Sequence, residues 1–212
     1  MIILAIDLTS EYGSLAVRVD ERTAATLTLR SSDGFAHLIY PAIDKVLSEA
    51  EIRLDDIDCF AGASGPGAFT GVRVGLAAVK GLAFALGKPA AGISNLRAIS
   101  IFGTAWRRAV VLDARRGDIF GAVYDERSHL VTEETVTKLP LWLESLPKGD
   151  YEFISGSDIA GTDGFLRAPH YLGEAVAICA ERDGKDGKWS DPAALDANYV
   201  RRSDAELFWK DS

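Results

Sequence analysis

Asp7, Thr9 and Ser10 stand together at the end of one apolar run, and Ser64-Gly65-Pro66-Gly67 stands at the end of another. A polar loop at the end of a first strand is a place where a phosphate can be held. A glycine loop that opens a helix suits a phosphate directly, through unpaired backbone N–H groups. Phosphate binding is therefore the first chemistry to test, and counting argues against it. A P-loop requires a glycine, four residues and then Gly-Lys-Ser/Thr. The fifth residue after Gly65 is Thr70 and the fifth after Gly67 is Val72, so neither fits. A dinucleotide fingerprint begun at Gly65 would need its third glycine where Thr70 stands. Leu8 separates Asp7 from Thr9, and Gly13 comes too late to bring backbone onto a phosphate. The plainer reading makes Gly65 and Gly67 a strand-to-helix turn with Thr70 as the helix cap, and residues 7–10 a polar hairpin turn.

Metal and nucleophile chemistry find less support. The histidines are His37, His129 and His170, and the position four after His37, where a second ligand on a helix would stand, is Pro41. No G-x-S-x-G elbow is present for a Ser-His-Asp set. Asp113, Ala114, Arg115, Arg116, Gly117 and Asp118 make a charged turn that serves either a ligand or a hairpin, and hairpins are commoner. Cys59 and Cys179, far apart and each in an apolar run, suit reduced, buried thiols better than a disulfide.

The elements that position these residues begin with the run behind the glycine loop, GVRVGLAAVKGLAFALG. At 3.6 residues per turn, Gly71, Gly75, Ala78, Leu82 and Ala85 fall on one line of mostly small side chains. Val72, Leu76, Val79, Ala83 and Leu86 form a second, larger line, and Arg73 and Lys80 share the only polar one. A surface helix has one apolar and one broad polar face. This one lacks the polar face, so it is either buried or shared, and a shared face with a partner protein is the expectation.

Upstream, residues 2–6 read as a buried strand, and residues 14–19 and 24–30 alternate, which gives an antiparallel meander of three strands. Residues 35–50 form an amphipathic helix in which Pro41 either makes a kink or marks the true start. Strands follow at 57–63 and 90–94, then a helix at 95–106. A second set of strands (109–113, 118–124, 130–136, 151–155) carries helices at 140–146 and 174–182. The echo implies two α/β lobes, residues 1–104 and a smaller 105–212 whose last segment packs back on the first.

Composition narrows the function classes. Of 212 residues, 48% are hydrophobic and 25% charged, ordinary for a chain that buries its own core. A net charge of −8 repels phosphate backbones, so any grip on nucleic acid falls to another protein. The N-terminus, MIILAIDLTS, has no basic flank and reads as a strand rather than a secretory signal. No charge-free apolar run reaches the roughly 18 residues of a membrane span, since Arg73 and Lys80 interrupt the longest.

ILAIDLTSEYGSLAV, AHLIYPAIDKVL, SGPGAFTGVRVGLAAVKGLAFALGKPAAGISNLRAI, VLDARRGDIFGAVY and YVRRSDAE resemble the TsaB family, bacterial accessory proteins for making threonylcarbamoyladenosine in tRNA. The likeness covers most of the first 125 residues and the C-terminal segment, and residues 126–190 add little. It implies an α/β fold of actin-like (ASKHA, ribonuclease H-like) type, with two related lobes and mixed sheets. It also implies a scaffold that pairs with the related TsaD transferase, forms a homodimer when alone, and is joined by a TsaE ATPase. TsaD-type proteins hold a metal through paired histidines, and at the matching place this chain has only His37. The resemblance therefore implies no catalytic residues, no metal and no cofactor here, with tRNA reached only through the complex, in the cytoplasm and off the membrane. The implied partner interface is Gly71, Val72, Gly75, Leu76, Ala78, Val79, Leu82 and Ala85 with His37 and Leu38 of the neighbouring helix. Asp7, Thr9, Ser10, Gly65 and Gly67 stand as a relic nucleotide loop. Two rival readings keep chemistry in this chain: an ATP-binding, kinase-like ASKHA enzyme acting through the same loops, and a metal-dependent glycoprotease-like peptidase. Arg201 and Arg202 are candidates for RNA contact or for surface ion pairs.

Overall fold

The computed structural model describes residues 1–200, so Arg201 and Arg202 lie outside the described residues. The chain opens with the meander: β1 (Ile2–Asp7), β2 (Tyr12–Val19) and β3 (Arg22–Arg30), each pairing antiparallel with the next. Central β1 is almost wholly buried, whereas edge strand β3 alternates exposed and half-buried residues. β4 (Cys59–Gly65) adds parallel to β1 and β5 (Ala90–Ser94) parallel to β4, in the order β3-β2-β1-β4-β5.

A parallel addition requires a crossover, and α1 (Ile39–Glu49) and α2 (Phe69–Leu86) supply it. Pro41 stands in the first turn of α1, where its missing N–H breaks no helical bond, so it marks the start rather than a kink. Thr70 does not cap α2: Ala68 is the N-cap residue and makes no side-chain capping bond, and Thr70 lies inside the first turn. Both helices cover one face of the sheet, burying Leu4, Ile6, Leu15 and Val17 against Ile43, Val46, Val72 and Val79. By length and a mean hydropathy of 1.5, α2 meets the measure of a membrane span despite Arg73 and Lys80; a third of it is buried in this fold (33%).

The second half repeats the plan. β6 (Arg107–Arg115), β7 (Asp118–Asp125) and β8 (Leu130–Thr137) form an antiparallel meander. β9 (Glu152–Ser155) and β10 (Leu166–Arg167) then extend it in parallel, in the order β10-β9-β6-β7-β8. Before this sheet comes α3 (Asn95–Ser100), shorter than residues 95–106 because Gly103 and Thr104 lead straight into β6. α4 (Leu139–Ser145) closes the outer face through Leu139 and Trp142 on Val111, Ile119 and Val123.

Between the two sheets lie α3 and α5 (Gly173–Lys185), in one core that joins Ile3, Ala5 and Cys59 to Val110, Ala122 and Ile154. α5 is late in the sequence yet packs on β1 and β2 of the first sheet. The Gly173 N–H donates to Ser14 Oγ at 2.8 Å, and the buried Glu181 carboxylate meets Arg18 Nε at 2.6 Å.

Candidate functional site

The two polar loops meet at the edge of the interlobe cleft. Asp7, 1% exposed, accepts from the Thr9 N–H at 3.0 Å and the Thr9 hydroxyl at 2.6 Å. Burial pushes the Asp7 carboxyl above the ordinary carboxylate value, against the opposing pull of the Thr9 donors and the Leu172 N–H. Asn95 couples the loops: its Nδ2 donates to Thr9 Oγ1, and its Oδ1 accepts from the Gly65 N–H at 3.1 Å. Ser10 turns to its own backbone, accepting from the Tyr12 N–H and donating to the Tyr12 carbonyl, each at 3.0 Å.

The glycines serve this meeting. A β-carbon on Gly67 would lie 2.6 Å from the Thr9 carbonyl oxygen, and the Ala68 N–H donates to that oxygen at 2.6 Å. A β-carbon on Gly71 would overlap the Leu8 carbonyl, and one on Gly75 would touch the Leu8 side chain at 3.9 Å. The small-residue line on α2 is therefore occupied at its start by the chain's own β1–β2 turn.

That placement revises the expected docking surface. Val72, Gly75, Leu76, Ala78 and Val79 are buried within the lobe, because the sheet and the Leu8 turn together take up both apolar lines. Gly71 and Leu82 are half-buried, as is Leu38, while Ala85 and His37 are exposed. The outward line of α2 is instead Arg73, Ala77, Gly81 and Ala85, with Phe84 beside it at 81% exposure. Tyr40 of α1, over the same face of the sheet, is 58% exposed. Phe84 was missed in the sequence because it belongs to neither apolar line, and only the packing of α2 on its sheet shows which side of the helix faces outward.

The stretch around Asn198 crosses the cleft. The Asn198 N–H donates to the Ser64 carbonyl at 2.8 Å, and its Nδ2 donates to Glu134 Oε2 at 2.6 Å. Glu134, on β8, also accepts from the Ser94 hydroxyl and from the Tyr124 hydroxyl at 2.5 Å, so one carboxylate ties both lobes and the tail segment. Two cavities flank Asn198. One, of about 340 Å³, lies between the glycine loop and the β6–β7 turn. The other, of about 460 Å³, is lined by Arg97, Tyr124, Glu134 and Asp183. In the latter Arg97 and Asp183 pair at 2.7 and 2.8 Å.

The charged turn at Asp113 is a hairpin, with Arg115, Arg116 and Gly117 all at positive φ (66°, 58° and 76°). His129 pairs with Asp125 at 3.1 Å, and His170 stacks on Tyr12 at 4.7 Å. Among the described residues no three His, Cys, Asp or Glu side chains converge as a metal set. Both cysteines are free and buried.

A family model described as TsaD, tRNA N6-adenosine threonylcarbamoyltransferase, matches residues 30–182. The tRNA threonylcarbamoyladenosine biosynthesis protein TsaB of Bacillus subtilis (strain 168) is 28% identical, over 100% of this chain and 99% of its own. The protein of the same name from Escherichia coli (strain K12) is 34% identical over 64% of this chain and 61% of its own length. Among solved structures, YeaZ from Pseudomonas aeruginosa is similar at a TM-score of 0.77 and 24% identity, covering 93% of this chain and 99% of that one. A Pseudomonas aeruginosa protein described as uncharacterized, with similarity to peptidase YEAZ, matches at a TM-score of 0.79 and 25% identity, over 94% and 99% of the two chains.

Proposed function

The chain belongs to the TsaB family, within the wider group that the TsaD family model describes, and from that premise we propose that it is a non-catalytic subunit that binds and activates a TsaD-type transferase. Its lobes have the actin-like, ribonuclease H-like fold, and its role lies in tRNA threonylcarbamoyladenosine biosynthesis. The observation that carries the finer reading is the outward face of α2, where Phe84 stands 81% exposed beside the small residues Ala77, Gly81 and Ala85. A lone exposed aromatic is ordinary. One seated on a helix with three small neighbours and no acidic residue offers a partner helix close approach and an anchor.

The docking surface under this reading is Ala77, Gly81, Leu82, Phe84 and Ala85 with Tyr40, His37 and Leu38. Val72, Gly75, Leu76, Ala78 and Val79 contribute from beneath, by fixing α2 on its sheet. A partner bound there is activated to the extent that the contact favours its working arrangement. Without that partner the same face pairs with a second copy, and with it a TsaE-type ATPase joins the heterodimer. Asp7 is hydrogen-bonded within its own loop and Gly67 is closed on Thr9, which supports a subunit role over nucleotide chemistry in this chain. tRNA is then met through the complex, in the cytoplasm.

Co-expression with the TsaD of the same organism tests the reading. Phe84→Asp combined with Gly81→Arg is expected to abolish co-purification and transferase activation while leaving the melting temperature near that of the wild type, since both sites face solvent. Tryptophan at Gly75 and Ala78 would make a poorer probe, because those buried sites would disturb the fold itself. A wild-type chain that never co-purifies with its TsaD overturns the proposal.

A further inference from the structure

The smaller cleft between the lobes differs from the rest of this acidic protein. On one rim Phe69 and Tyr199, 48% and 50% exposed, stand with ring centroids 5.8 Å apart. Arg73 lies over the Phe69 ring, 3.6 Å from its centroid, and its Nε donates to the Tyr199 hydroxyl at 3.2 Å, so the guanidinium braces both rings. Across the cleft the β6–β7 hairpin brings Arg115 and Arg116 to the lining. The Arg115 side chain is 88% exposed, and its ion pair with Asp113 is a loose 3.5 Å. The enclosed space is about 340 Å³, the lower end of the usual small-ligand range.

We propose that this cleft receives one unpaired nucleotide of an RNA strand, its base against Phe69 and Tyr199 and its phosphate at Arg115 and Arg116. Unpaired RNA is held by stacking on aromatic rings together with guanidinium contacts to phosphate, and both parts are present on facing walls. A duplex has no unstacked base to offer a cleft of this size. A free nucleoside triphosphate would need a backbone cradle, and the loops that would form it are closed, Thr9 on Gly67 and Leu8 on Gly71. With a net charge of −8 the chain cannot grip RNA alone with much strength. The contact positions an RNA whose main hold is elsewhere. The inference rests on the chain's being a subunit of a tRNA-modifying complex.

The test measures binding of a short, labelled RNA hairpin with an open loop to the full chain at low salt, with an RNA duplex and AMP as comparison probes. Arg115→Gln with Arg116→Gln, and separately Tyr199→Ala, are expected to weaken hairpin binding by about tenfold, the scale of one lost stack or phosphate pair. Tyr199→Phe should retain most of the affinity, and Arg53→Gln, on a distant surface, all of it. The duplex and AMP should bind at least about tenfold more weakly than the hairpin. Failure of the wild type to bind the hairpin, indifference to both variants, or equal binding of the duplex overturns the inference, and AMP binding as tight as the hairpin reassigns the cleft to free nucleotides. Co-purification with TsaD, run on the same proteins, separates the premises. Loss in the wild type sinks the subunit reading, whereas retained partner binding with RNA affinity blind to Arg115 and Tyr199 sinks this inference alone.

Discussion

Gly67 lies so close to Thr9 that a β-carbon on it would sit 2.6 Å from the Thr9 carbonyl oxygen. The obstacle is backbone, which cannot swing aside as a side chain would. Gly67→Ala and Gly71→Ala should therefore each lower unfolding free energy by about 1–3 kcal/mol in urea titrations. Gly81, also on α2, has nothing within 4 Å of its β-carbon position. Gly81→Ala should raise stability by up to about 1 kcal/mol through helix propensity alone. Equal stability of the Gly71 and Gly81 variants would contradict the packing described.

The same closure bears on nucleotide. Calorimetry with ATP and magnesium is expected to show no binding in the micromolar range. A micromolar site would mean that the loops part in solution and would revive the kinase-like reading.

Asp7 makes stability depend on pH in an unusual direction. Its folded-state pKa is raised above the ordinary aspartate value of 3.8, chiefly by burial. The native protein then keeps this proton to higher pH than the unfolded chain does, so stability falls as pH rises above 3.8 and levels off past the folded value. Asp7→Asn removes this dependence and adds a constant loss at the Leu172 N–H. The wild type should lose stability relative to Asp7→Asn as pH rises through that interval, by at most about 1.4 kcal/mol per pH unit. Parallel pH profiles for the two proteins would refute it.

Burial pushes the Cys59 thiol up to about 12 and the Cys179 thiol to about 11. Neither is a thiolate near neutrality, so an aromatic disulfide reagent at mildly alkaline pH should label no cysteine in the native protein and both after denaturation. Fast labelling of either one in the native state would contradict its burial.

The strands were legible because alternation and short apolar runs carry local information: the first meander was visible from residue 2 to residue 30. The length of α2 was legible for the same reason. Its orientation was not. With Arg73 and Lys80 as its only charges, α2 has no polar face to point at solvent, and Lys80 itself turns to the Leu195 carbonyl at 2.8 Å. Which small residues face inward depends on Leu8, more than sixty positions away, and no local pattern reports it. Asn95 and Glu134 were equally hidden, since each acts by joining segments distant in sequence. Pro41 was ambiguous only until its place within the first turn was known.

The late arrival of α5 has a consequence for how the protein is made. On the ribosome the whole first sheet emerges before residue 95, with Ile3, Ala5, Ala16 and Cys59 facing the side that α5 later covers. At ordinary translation speeds that apolar face waits on the order of ten seconds for its lid to be synthesised. A nascent chain of this kind is a natural client for a chaperone, and a ribosome stalled inside the second lobe would release a sticky half-protein rather than a finished domain.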